Sequence, residues 1–123
     1  MATIYTQAGE EQTADLIDGT SATVLSTANA KVGWGTGAGT AAKGDTTLFT
    51  EATEARVVPT ISQPVADKNR WVGTLTANGA KTITNAGLFN AAAAGILTVH
   101  GDFVGIVLAL NDKIEFTIDI EWT

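Results

Sequence analysis

His100 is the single histidine of the chain, and Asp102 stands two residues beyond it. On a strand, residues i and i+2 share a face, so imidazole and carboxylate are within reach of a hydrogen bond. Such a pair is the start of general acid–base chemistry near neutral pH. Hydrolysis by that route needs a nucleophile. The chain has no cysteine, and Ser21, Ser26 and Ser62 lie in extended contexts without the sharp elbow that activates a serine. Across Ile96 to Val104 the alternation puts Leu97, Val99 and Phe103 inward and Thr98, His100 and Asp102 outward. His100 is therefore expected on the wet face, as a surface residue.

Metal and cofactor chemistry are equally thin. The thirteen carboxylates show no EF-hand spacing and no Asp-x-Asp-x-Asp run. Glu115, Asp119 and Glu121 share one face of the last strand. They read as a solvated ladder that blunts a sheet edge, or as an acidic patch for a basic partner. Gly33-Trp34-Gly35-Thr36-Gly37-Ala38 has the spacing of a dinucleotide fingerprint, yet a further loop follows where a helix must open. Lys43 precedes Gly44 rather than Ser or Thr, so the phosphate-loop pattern fails as well. The sequence thus offers no catalytic, cofactor-binding or metal-binding set, and a non-enzyme is expected. Trp34 and Trp122 alternate with core positions, and Trp71 is open to either side. Tryptophans exposed on a concave face would instead stack on sugars, as in a glycan-binding module.

The elements that carry these residues are mostly strands. Ile114, Phe116, Ile118, Ile120 and Trp122 alternate with Glu115, Thr117, Asp119, Glu121 and Thr123, a strict period of two with one buried face. Upstream, Thr3–Gln7 reads as a short strand or an extended arm. Gly9–Asp18 reads as a helix with Glu10 and Glu11 in its first turn, Ala14 and Ile17 on one face, and Gly19 as its stop. Thr20–Thr27 reads as a strand or extended loop, and Lys31–Thr36 as a strand. The glycine-dense 33–44 stretch reads as a loop, and 46–54 as room for one helical turn. Ala55–Val65 carries Pro59 and Pro64, which suit an edge or a bulge. Asp67-Lys68-Asn69 turns it into Trp71–Ala77, and Asn78-Gly79 turns again. A bulge is expected at Ala86-Gly87 within Lys81–Phe89. Gly105–Leu110 is apolar and reads as a buried crossing before the Asn111-Asp112 turn. About seven strands at this spacing predict an all-β, antiparallel, jelly-roll-like sandwich over residues 1–123, with one short N-terminal helix and a possible arm at 1–8.

Composition sets further bounds. With 45% hydrophobic residues in 123, one ordinary core is expected. A net charge of −6 argues against nucleic acid as a partner. No apolar run approaches the roughly 20 residues of a membrane span, and Met1-Ala2-Thr3 opens no signal peptide. Synthesis in a cytoplasm is expected.

Several stretches together resemble a known family. These are Ala8-Gly9 with Ala14, Leu16, Ile17 and Gly19, then Val32-Gly33-Trp34-Gly35-Thr36-Gly37. Asp45-Thr46-Thr47-Leu48 follows, leading through Glu51 or Glu54 to Arg56. Then come Ile83-Thr84-Asn85-Ala86-Gly87-Leu88-Phe89-Asn90-Ala91, Gly95-Ile96-Leu97 with Phe103, and Asp112-Lys113-Ile114-Glu115-Phe116-Thr117-Ile118. The pattern is similar to small β-sandwich structural proteins of tailed bacteriophages, both capsid decoration (cement) proteins and tail or fibre components. Asn85 stands where such proteins often carry an acidic residue, and Val104–Leu110 is apolar where they often carry proline. The resemblance implies a virion protein on the outer capsid surface of a phage made in a host cytoplasm. It would be a homotrimer that clamps the major capsid protein, with Ile4, Tyr5 and Gln7 of the arm as partner contacts. A tail, baseplate or fibre component, or a glycan-binding adhesin module, is the alternative.

Overall fold

The computed structural model describes residues 2–20, 25–26 and 28–122. In chain order these form β1 (Ala2–Tyr5), α1 (Gln7–Asp18), β2 (Lys31–Gly35), β3 (Thr60–Val65), β4 (Lys68–Thr76), β5 (Lys81–Phe89), β6 (Leu97–Leu108) and β7 (Lys113–Glu121). The seven strands make two antiparallel sheets, ordered β1-β6-β5-β2 and β3-β4-β7. The expected all-β sandwich with one N-terminal helix is what forms. The expected strand or loop at Thr20–Thr27 falls largely outside the described residues.

The inner faces of both sheets meet in one core. Val32, Trp34, Ile83, Leu88 and Val99 of the larger sheet pack with Trp71, Leu75 and Ile120 of the smaller. Phe116 and Ile118 of β7 add to it from half-buried positions, and Trp34 meets Phe116 edge-on at 6.3 Å. The alternation of β7 is therefore real, but β7 is an edge strand, so its apolar residues short of Ile120 stay partly wet. Trp122 lies just past β7 and is 44% exposed rather than in the core. Its indole N–H donates to Asn69 Oδ1 at 3.0 Å.

α1 begins two residues before the expected start, because Thr6 caps it by accepting from the Gly9 N–H. Gly19 ends it in the left-handed conformation at φ 80°, as its position suggests. The docked face is Gly9 and Gln12, not Ala14 and Ile17. A Cβ on Gly9 would sit 2.7 Å from the Thr98 carbonyl oxygen, so helix and strand meet only because that residue is glycine. Ile17 is 84% exposed.

Other details depart from the sequence reading. β2 runs through Gly33–Gly35, so the loop starts at Thr36, and no helical turn forms at 46–54. The first turn is Ala66-Asp67, with Lys68 already in β4. β3 is an edge whose register shifts between Ser62 and Val65, around Pro64, as its prolines imply. The irregularity of β5 is not at Ala86-Gly87, which pair evenly with Trp34 and Gly33. One shift lies where Asn85–Asp102 gives way to Ile83–Ile106, so Phe103, Val104 and Gly105 stand against Thr84 alone, and a second lies between Leu88 and Phe89. Gly105–Leu110 is no buried crossing, since β6 continues to Leu108 and every residue of the segment except Leu108 is exposed.

Candidate protein-contact surface

β6 divides into two environments. From Leu97 to His100 every residue is buried. The inward residues meet the core, and the outward ones meet a second cover made of α1 and the 36–50 segment. Thr98 is fully buried beside Gln12 of α1, its hydroxyl 3.2 Å from Gln12 Oε1. His100 is fully buried too, which corrects its expected place on a wet face. Its Nδ1 lies 2.7 Å from Asp45 Oδ2 and its Nε2 3.0 Å from Asn85 Oδ1. Asn85 is oriented by the backbone of Phe49. Its Nδ2 donates to the Phe49 carbonyl and its Oδ1 accepts the Phe49 N–H, each at 3.0 Å. Oδ1 being an acceptor, His100 Nε2 must be the donor toward it. An acid at position 85 could only accept when ionised, so the amide is what lets one side chain hold both backbone groups of Phe49.

Asp102 does not orient the His100 ring. Its carboxylate accepts the Ala41 N–H at 2.8 Å and the Ala2 N–H at 3.2 Å. The bond from Ala41 holds its carboxyl below the usual range, against the opposing effect of burial. The histidine–aspartate pair of the sequence is thus two separate pins, His100 holding the 41–50 segment at Asp45 and Asp102 holding both that segment at Ala41 and the start of β1 at Ala2.

Two further side chains close the loops. Arg56 grips Glu51 through Nε and Nη2 at 2.7 and 2.8 Å. Its Nη1 donates to the carbonyls of Ala91 and Ala94 at 2.9 and 2.8 Å. The guanidinium lies 3.4 Å above the Phe89 ring, a stacked cation. Glu54 accepts from the Asn78 N–H at 2.9 Å, the Trp34 indole at 3.0 Å and the Lys81 ammonium. Burial pushes its carboxyl up, but the bonds from Asn78, Lys81 and Trp34 outweigh that and hold it at about 2. Each of these side chains ties its loop to a neighbouring loop or strand. Among the described residues no group of three or more acidic or histidine side chains is placed to hold a metal. No helix there is long and apolar enough to cross a membrane.

Beyond the Asp102 pin the second half of β6 is the reverse. Val104 is 89% exposed, Val107 80% and Leu110, in the following turn, 62%. Ile106 is exposed as well, while Phe103 and Leu108 turn inward. No charged residue occurs from Phe103 to Leu110. Beside Phe103, a cavity of about 150 Å³ is lined by Thr3, Val99 and Gly101 of one sheet and Phe116 and Ile118 of the other. Contiguous exposed apolar groups of this kind mark contact surfaces for other proteins.

The three arm residues expected to touch a partner sit elsewhere. Ile4 pairs with His100 and Tyr5 with Val99, both within β1. The Tyr5 hydroxyl donates to the Gly9 carbonyl at 3.2 Å and bonds Thr13, and its ring meets Trp122 edge-on at 5.9 Å. Gln7 is exposed on α1, donating to Glu11 Oε1 at 3.0 Å. Tyr5, Trp71 and Trp122 line a separate cleft of about 320 Å³ with Asn69 and Leu16. The surface that sequence reasoning missed is Val104, Ile106, Val107 and Leu110. The available signal was length, since a strand of twelve residues outruns an arm of four or five. No family model matches this chain, and no curated protein or solved structure is detectably similar to it.

Proposed function

We propose that this protein is a structural binding module that grips other protein subunits, and more specifically a capsid decoration protein of a tailed bacteriophage. The observation that carries the reading is the uncharged, exposed apolar half of β6 on an otherwise acidic, tightly jointed sandwich. Its task would be to hold neighbouring major capsid subunits together on the outer shell, as a homo-oligomer. Many identical weak contacts on one shell suffice for lasting attachment. Resemblance supplies the virion context, and the joints at Arg56, Asn85 and Glu54 supply the stiffness such a clamp requires. Mixing the purified chain with expanded phage shells that lack it should give saturable binding at a fixed number of copies per shell. Absence of saturable binding would remove the decoration reading, and tens of copies per particle instead of hundreds would move the protein to the tail. A second reading, glycan binding, has its residues in the Tyr5–Trp71–Trp122 cleft. Tryptophan fluorescence unchanged across a glycan panel would dismiss it.

A further inference from the structure

The turn between β4 and β5 holds the one asparagine of the chain that is followed by glycine, Asn78-Gly79. Asn78 is exposed, yet its polar groups have fixed partners. Its Oδ1 accepts from the Lys81 ammonium at 2.9 Å, and its Nδ2 donates to Thr53 Oγ1 at 3.1 Å. Its own N–H is taken by Glu54 at 2.9 Å. The next amide is different. Among the described residues no hydrogen bond holds the Gly79 N–H, and a Cβ built on Gly79 would meet nothing within 4 Å. An unbonded, unshielded main-chain nitrogen thus follows directly on a side-chain amide whose oxygen carries a cation.

That juxtaposition favours one reaction. The Gly79 nitrogen and Asn78 Cγ close a small ring when they join, so little freedom is lost in bringing them together. Glycine at 79 leaves the backbone free to make the approach. Negative charge gathers on Oδ1 during the attack, and the Lys81 ammonium already sits on that atom. We propose that Asn78 is a site of self-modification, where the chain converts its own amide to an acid. The Gly79 nitrogen bonds to Asn78 Cγ and the Cγ–Nδ2 bond breaks. Nδ2 leaves as ammonia, carrying off the proton of the Gly79 N–H. Water then opens the ring. Attack at Cγ gives aspartate, and attack at the main-chain carbonyl carbon gives isoaspartate, in which the chain runs on through the side chain. Lys81 is not the attacking nitrogen. Its Nζ is an ammonium paired with the Glu54 carboxylate and has no free electron pair. Both products place a new carboxylate beside Glu54 and make the net charge more negative than −6. Lys81, which stands opposite Leu108 at the start of β5, then serves two acids in place of one. Isoaspartate also lengthens the turn itself.

The site does not depend on the virion reading, and shell binding decides that reading separately. Peptide mapping by mass spectrometry tests it, on the full chain held at mildly alkaline pH and body temperature for several weeks. The peptide containing Asn78 should gain the mass difference between an amide and an acid, as a mixture of aspartate and isoaspartate. The other asparagines, followed by Ala, Arg or Asp, should keep their amides. Gly79→Ala has open space for its Cβ and no positive φ to strain it, and it should slow the conversion several-fold. Lys81→Gln should slow it by a smaller factor, in a chain whose circular dichroism matches the parent. An Asn78 peptide that keeps its mass, conversion spread evenly over all the asparagines, or aspartate without isoaspartate would overturn the proposal. So would a rate unchanged in Lys81→Gln, or a stable product lighter by ammonia, which would place Lys81 in the new bond.

Discussion

The two halves of β6 invert the usual rule. Leu97–His100 includes a threonine and a histidine, and all four residues are buried. Val104, Ile106 and Val107 are apolar, and all are exposed. The difference lies in what covers each half. α1 and the 36–50 segment lie over the first, and every polar group buried there finds a hydrogen-bond partner. Over the second half, the outer face lies beside Thr82 and Thr84 of β5. Burial in this molecule is decided by the layer above a residue rather than by residue type.

The sharpest way to break the contrast is to strip the covered half of its chemistry. His100→Leu removes the donor to Asn85 and the partner of Asp45 while keeping bulk. Leaving a half-buried carboxylate and a buried amide without that partner, each with one backbone N–H still bonded, should cost about 1–3 kcal/mol in urea unfolding. A change below about 0.5 kcal/mol would mean that the Asp102 and Asn85 bonds hold the 41–50 cover without His100. A smaller effect is expected at Glu54, whose partner Lys81 stands opposite Leu108 and fixes the end of β5 beside the exposed half. Its folded carboxyl lies at about 2, below its ordinary 4.5. Its contribution is therefore complete above about pH 4.5 and lost as pH falls toward 2. Glu54→Gln should be less stable than the parent by about 2 kcal/mol at neutral pH, with the gap closing between those two values. Denaturation series at several pH values read this directly, and a gap that does not change with pH would contradict it. The smallest effect should come from Val107→Thr on the bare half, within about 0.5 kcal/mol of the parent. A larger loss of stability would show that Val107 is covered within the single chain.

Much of the fold was legible because period two is local. β7, the β3–β4 hairpin and the edge character of the proline-bearing strand all follow from residue order. What alternation gives is parity. It put His100 correctly on the face away from the core, but whether that face meets water depends on segments far along the chain. Here a loop residue, Asp45, and a neighbouring strand residue, Asn85, supply the answer. The same gap explains Gly105–Leu110, where a run of apolar residues implied burial and the missing partner was a strand that ends too soon. Trp122 failed for a related reason, since alternation continues past the end of an edge strand, where Tyr5 of the opposite sheet covers the ring only in part. In α1 the contact is made by a glycine and a glutamine, which no apolar periodicity can flag.

The joints that tie the loops share one property. Arg56 reaches the carbonyls of Ala91 and Ala94, Asn85 both main-chain groups of Phe49, Thr84 the carbonyl of Gly37, and Asp102 the amides of Ala2 and Ala41. Apart from proline, which lacks the N–H, every amino acid offers the same peptide group. The receiving segments are therefore free to drift in composition over evolutionary time, provided that a few reaching side chains stay in place. Kinship among such scaffolds would survive as a handful of scattered anchors while the text between them became unrecognisable.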